Sequence, residues 1–308
     1  MSMRARLLPA LLGSLLLLLS QPVLASQVLT SIKPLQLIAA AILDDIEEPA
    51  VLLPPGSSPH HHALRPSERR TLQQATRVYW VGGSLELFLE SLLSRHAGAQ
   101  ALIDLPGVQL RTALQSLNFQ QEEAHGHAHH KHDHGLNDPH LWLSPDNARV
   151  IARWMAEDLQ GIYPDQQQQL QANLQAFLLR LDAEEVRLHQ RLQGLGDKPW
   201  FVFHDGYGYF EDHFNVHPNG IFSLSDEVQP GARHVNLLRQ RLQQAGSSCV
   251  FSEPQFNPRL IDSLSKGLDV RRGELDPLGV DIAVDAEGYL RLLGRIGDSL
   301  ADCLQTLP

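Results

Sequence analysis

The sequence predicts an α/β protein of two similar lobes, each a mainly parallel sheet flanked by helices, joined by one long backbone helix. Three observations carry this expectation. Short apolar, β-branched runs alternate with helical patterns along most of the chain. One helical pattern, Pro164 to about Leu195, is longer than all the others. Four strand-like runs precede it and four follow it.

In the first half, Val28 to Ile32 reads as a strand and Leu35 to Leu43 as a helix. Ala50 to Leu53 is a second strand, closed by Pro54-Pro55-Gly56. Pro66 to Gln74 reads as a helix, Arg77 to Val81 as the third strand and Ala101 to Leu105 as the fourth. Residues 118–137 break the alternation: they are polar, lack apolar periodicity and read as a loop. A helix resumes at Asp146 to Gln160, with Ser144-Pro145 as its start signal. In the long pattern, Leu170, Leu174, Phe177, Leu178, Leu181, Leu188 and Leu192 recur at helical spacing. Thirty such residues would span roughly 45 Å, enough to bridge two lobes. Beyond it, Trp200 to Phe203, Gly220 to Leu224, Cys249 to Ser252 and Val270 to Glu274 read as strands. Helices are expected between them at about 206–214, 231–245 and 258–267. The resulting division is 26–162, 163–195 and 196–308, after a segment 1–25 of a different kind.

That first segment reads as a targeting signal. Arg4 and Arg6 precede the leucine-rich run Leu7 to Leu19, and Val23-Leu24-Ala25 supplies the small residues a signal peptidase reads. Cleavage after Ala25 would remove two arginines and no acid, so the formal charge of −10 becomes 23 − 35 = −12. No cysteine lies near that point to take a lipid anchor. The expectation is an exported, periplasmic, monomeric protein without a direct membrane anchor. An acidic balance gives no footprint for nucleic acid. The pair Cys249 and Cys303 would form a disulfide in an oxidising compartment, pinning the last helix to the second lobe.

Histidine is the outlier. There are sixteen, seven of them between His125 and His140. The chain has no glycine-rich phosphate loop and no His-Glu-x-x-His helix. His60 follows the second strand and its proline turn, His140 lies in Asp138-Pro139-His140-Leu141-Trp142, and His204 follows Trp200 to Phe203. Asp276 follows the Val270 to Leu275 run. Parallel sheets place their ligand crevice at the carboxyl ends of strands, so four such groups could meet between the lobes. Three imidazoles plus a carboxylate or water is a tetrahedral zinc set, and nitrogen donors also suit copper, nickel and cobalt better than magnesium or calcium. The separations of 80 and 64 residues are not a motif, and His61 and His62 compete with His60. Chemistry alone points to a metal without choosing its ligands.

Resemblance narrows the choice. Ser57-Ser58-Pro59-His60-His61-His62-Ala63-Leu64-Arg65-Pro66-Ser67 resembles the first ligand segment of the metal-binding receptors of ATP-driven importers. Asp138 to Pro145, Phe203 to Phe210 and Glu274 to Gly279 resemble their second, third and fourth segments. The similarity runs through the whole chain after the targeting segment and is closest to the zinc-uptake receptors. It implies that His60, His140 and His204 bind Zn2+ in the cleft and that a membrane permease is the partner. Manganese and iron receptors of this superfamily typically carry a carboxylate at the third position, where this chain has His204. Some zinc receptors have a glutamate just before the first ligand. Pro59 stands there, which leaves water or Asp276 as the fourth ligand. His61 and His62 are expected to face solvent.

The segment with His125, His127, His129, His130, His132 and His134 would bind zinc weakly, since ordering it costs conformational entropy. Imidazole protonation competes with metal, so occupancy should fall as pH drops through about 6.5. Two other readings stand beside the receptor. One is a manganese or iron receptor of the same superfamily. The other is an exported zinc hydrolase with Glu211 or Asp205 as base, which has no catalytic signature in its favour.

Overall fold

A computed structural model describes residues 26–112, 137–223, 232–255 and 264–308. The segment 1–25 expected to be a targeting signal, the histidines from His125 to His134 and most of the helix expected at 258–267 lie outside these residues.

Two parallel four-stranded sheets are present. The first contains β1 (Val28–Thr30), β2 (Ala50–Val51), β3 (Arg77–Trp80) and β4 (Ala99–Ala101), in the order β2-β1-β3-β4. The second contains β5 (Trp200–His204), β6 (Gly220–Ser223), β7 (Ser248–Ser252) and β8 (Val270–Glu274), in the order β6-β5-β7-β8. The two orders are the same order repeated, so the lobes are alike in topology. Every pairing within the sheets is parallel.

The helices are α1 (Lys33–Ile42), α2 (Pro66–Gln74), α3 (Leu87–Leu93), α4 (Pro145–Asp158), α5 (Gln167–Leu192), α6 (Gly208–Phe214), α7 (Ala232–Ala245) and α8 (Gly288–Leu304). Ser144 caps α4 by accepting a hydrogen bond from the Asn147 amide, and Pro145 opens the helix. The long helix α5 has 26 residues, and its buried face includes all seven leucines and phenylalanines that the periodicity selects. At 1.5 Å per residue it is roughly 39 Å long. Its Asn173 side chain donates to the carbonyls of Ile42 and Asp44, satisfying groups at the end of α1.

Two local expectations need correction. The fourth strand is Ala99–Ala101 rather than Ala101 to Leu105. The Leu102 amide still reaches the Trp80 carbonyl, but the chain then turns, with Leu105 N–H donating to Leu102 O. Leu102 and Leu105 are buried as turn residues, so apolar character there marks burial and not a strand. The helix α3 was not foreseen, being only 7 residues long.

One hydrophobic cluster runs through both lobes. It joins Val28, Leu37 and Trp142 of the first half to Phe177 and Leu188 of α5, and on to Trp200, Phe210, Tyr289 and Leu300. A smaller cluster around Phe203, Phe222 and Val250 covers the other face of the second sheet. Cys249 on β7 and Cys303 on α8 form a disulfide.

Candidate metal centre

Three chain segments deliver one imidazole each to the crevice at the strand ends. His60 comes from the loop after β2, held where Pro54-Pro55-Gly56 turns the chain. His140 immediately precedes a single 3-10 turn at Leu141–Leu143. His204 is the last residue of β5. The ring centroids are 5.5 Å apart for His60–His140, 5.5 Å for His60–His204 and 4.9 Å for His140–His204. One nitrogen from each ring lies within 4.8 Å of the other two. His140 and His204 are buried and His60 is half-buried.

Two carboxylates orient the rings. His140 Nδ1 donates to Asp138 Oδ1 at 2.8 Å, and the His140 amide reaches the same oxygen at 3.0 Å. His204 Nδ1 faces Glu253 Oε1 at 3.3 Å. With Nδ1 protonated and engaged, Nε2 of each ring is left as the lone-pair donor. For His140 that Nε2 atom is buried and has no hydrogen-bond partner among the described residues. A buried imidazole nitrogen aimed at two other imidazoles is what a nitrogen-loving cation requires. Burial opposes ionisation of Asp138, but the His140 side chain and amide together with the Arg111 charge hold its carboxyl below the usual range. Arg111 ties Asp138, at 3.4 Å, to Asp212 of α6, at 2.9 Å.

Close packing defines the cavity. It measures about 20 Å³ and is lined by Ser58, His60, His140, Trp142, His204 and Glu253 among others. That is room for about one water-sized particle. Gly206 packs against the rings of His204 and His140. A Cβ there would lie 2.8 Å from His204 Cε1 and 3.3 Å from His140 Nε2, so any side chain would push into the donor set. Trp142 packs edge-on against His140 at 5.3 Å and donates its indole N–H to Pro277 O at 2.8 Å, linking the lobes beside the site.

Asp276 is placed differently. Its Oδ1 accepts from the amides of Leu278 and Gly279, and its Oδ2 from the amide of Val280. Its carboxylate therefore organises its own loop and does not join the group of three imidazoles. His61 is exposed as expected. His62 is not: its side chain is only 9% exposed, bonded to Glu68 at 2.8 Å and packed on Phe88. Glu68 sits in the first turn of α2 and also accepts from the Arg65 amide, so the helix start draws His62 inward. The sequence reasoning missed Glu253. The same strand-end rule that selected His204 would have found it, because Glu253 directly follows β7. Glu211 and Asp205 do not line the cavity.

A family model for the zinc-uptake complex component A, periplasmic, ZnuA, matches residues 28–303. The chain belongs to the ZnuA family. A high-affinity zinc uptake system protein ZnuA of Yersinia pestis is 40% identical, covering 96% of this chain and 97% of that protein. ZnuA of Haemophilus ducreyi is 36% identical over 91% of this chain and 93% of its own length. In fold, the chain resembles a crystal structure of ZnuA with a TM-score of 0.74 at 24% identity, covering 91% of this chain and 99% of that one. A zinc-bound deletion mutant of ZnuA aligns with a TM-score of 0.73, covering 92% of this chain and 100% of its own. No described helix is long and apolar enough to cross a membrane.

Proposed function

We propose that this chain is a periplasmic receptor that captures Zn2+ and delivers it to the permease of an ABC importer. The ion is held by Nε2 of His60, His140 and His204. The observation that carries this reading is the convergence of three imidazoles, from segments 80 and 64 residues apart, on a cavity with room for one ion. Membership of the ZnuA family supports zinc as the cargo. So does the all-nitrogen donor set, which ranks zinc above manganese.

Water is the fourth ligand in this reading. Pro59 has no donor, and the Asp276 carboxylate is committed to three backbone amides. The likeness to zinc uptake proteins over nearly the whole chain favours transport over hydrolysis. Residues 1–25 serve export and are cleaved after Ala25. The lobes are 26–162 and 196–308, with 163–195 as their connector. His125, His127, His129, His130, His132 and His134 gather scarce zinc at weaker sites.

Competition titration of tag-free protein tests the assignment. Wild type should bind one zinc tightly, His204→Ala should lose that class, and Asp276→Asn should stay within about tenfold of wild type. Loss exceeding about 100-fold in Asp276→Asn would refute the water model, since it is beyond the effect of a supporting residue. Deleting the histidine-rich segment should leave cleft affinity unchanged, remove weak sites and slow growth only when zinc is scarce.

A further inference from the structure

A second group of nitrogen and oxygen donors lies outside the crevice. Glu185 and His189 stand one turn apart on α5 and therefore share a face. His213, in the last turn of α6, faces them. One donor atom from each of the three lies within 4.8 Å of the others. His213 Nε2 meets Glu185 Oε1 at 2.8 Å, while His213 Nδ1 lies 3.6 Å from Asp146 Oδ2 on α4. The ring is thus bonded to Glu185 through Nε2, and its Nδ1 faces the Asp146 carboxylate at a distance longer than a hydrogen bond. Both rings rest on Phe214, at 4.9 Å from His189 and 4.8 Å from His213, which limits their rotation.

We propose that Glu185, His189 and His213 form an auxiliary site for Zn2+ at the junction of α4, α5 and α6. Two imidazoles and a carboxylate are a zinc donor set, and they suit calcium or magnesium poorly. His189 is exposed, so an ion enters from solvent and keeps water in the remaining position. Arg149 is the opposing charge, paired with Glu185, Asp146 and Asp182. Three carboxylates against one guanidinium still leave a local charge of −2 with the histidines neutral. Burial opposes ionisation of Glu185, but its bonds to Arg149 and His213 keep it anionic. A bound ion displaces the His213 Nε2 proton to solvent, the ring takes up a proton at Nδ1 on the side facing Asp146, and the ion ties α6, which begins four residues after His204, to the long helix.

The test uses the full chain with imidazole nitrogens followed by NMR during zinc titration. The first equivalent fills the crevice and moves His140 and His204, so failure of that reading is seen separately. Further zinc should then move His189 and His213 together. In His189→Ala, an exposed change that spares the fold, the His213 response should need about tenfold more zinc, and Asp146→Asn should weaken it comparably. A His213 signal that stays still at millimolar zinc, or that responds identically in His189→Ala, overturns the site.

Discussion

The rings of His140 and His204 are held by carboxylates outside the group of three imidazoles. Asp138 and Glu253 fix ring orientation and tautomer, and Asp138 is itself held by Arg111. Asp138→Asn should therefore lower zinc affinity by ~10–100-fold while leaving the fold intact, as competition titration would measure. An unchanged affinity would show that packing against Trp142 alone orients His140. A second residue effect concerns pH. Burial pushes the Glu211 carboxyl up to about 7, aided by the nearby Asp205 charge and opposed by His217 and Arg111. Its ordinary value is 4.5, so between these limits the folded chain holds a proton that the unfolded chain has released. The contribution to stability is full below about pH 4.5 and is lost as pH rises through about 7. Denaturant titrations at pH 5 and pH 8 should differ less in Glu211→Gln than in wild type. The three histidines were legible from the strand-end rule plus resemblance. Asp138 stood in a recognised segment without a role, because its function depends on side-chain direction, which no spacing encodes.

Helices and strands differ in how openly the sequence declares them. The α5 pattern was legible almost residue by residue, because 26 residues of one period leave little room for another reading. The run Ala101 to Leu105 misled because a buried turn and a strand can share an apolar composition. The short α3 gives too few turns to establish a period. At the far end, α8 is anchored by the Cys249–Cys303 bridge across a separation of 54 residues. Closing a loop of that length restricts the unfolded chain by about 4 kcal/mol. The double variant Cys249→Ala/Cys303→Ala should lose that order of stability in denaturant titration and still bind zinc, since neither cysteine lies near the imidazoles. Loss of zinc binding along with the bridge would instead show that β7, which leads into Glu253, needs the bridge to hold its place.

The molecule joins its two lobes through packing as well as through the long helix. Its main core passes through both lobes, and polar ties cross between them: Lys33 to Val280 O, Trp142 to Pro277 O, Tyr289 to Trp142 O and Tyr209 to Asp138 O. Removing zinc should therefore produce a local change around the loop bearing His60 and the end of β5 at His204 rather than a wide opening. Scattering profiles of metal-free and metal-loaded protein should superimpose, and a large change in radius would disprove the shared core as a brake. Two lobes and a connector could be foreseen from the alternation of elements, whereas the continuity of packing across them could not, because contacts between remote segments leave no local pattern. That continuity bears on how the site comes into being. Its donors are contributed by both halves, on either side of the long helix, through parallel sheets whose strands pair at long range and so assemble slowly. A chain with only its first half formed has His60 and His140 in place but not His204. The full three-imidazole site therefore exists only once both halves have come together, and an ion bound there stabilises that assembled state; tight zinc capture thus reports completed assembly.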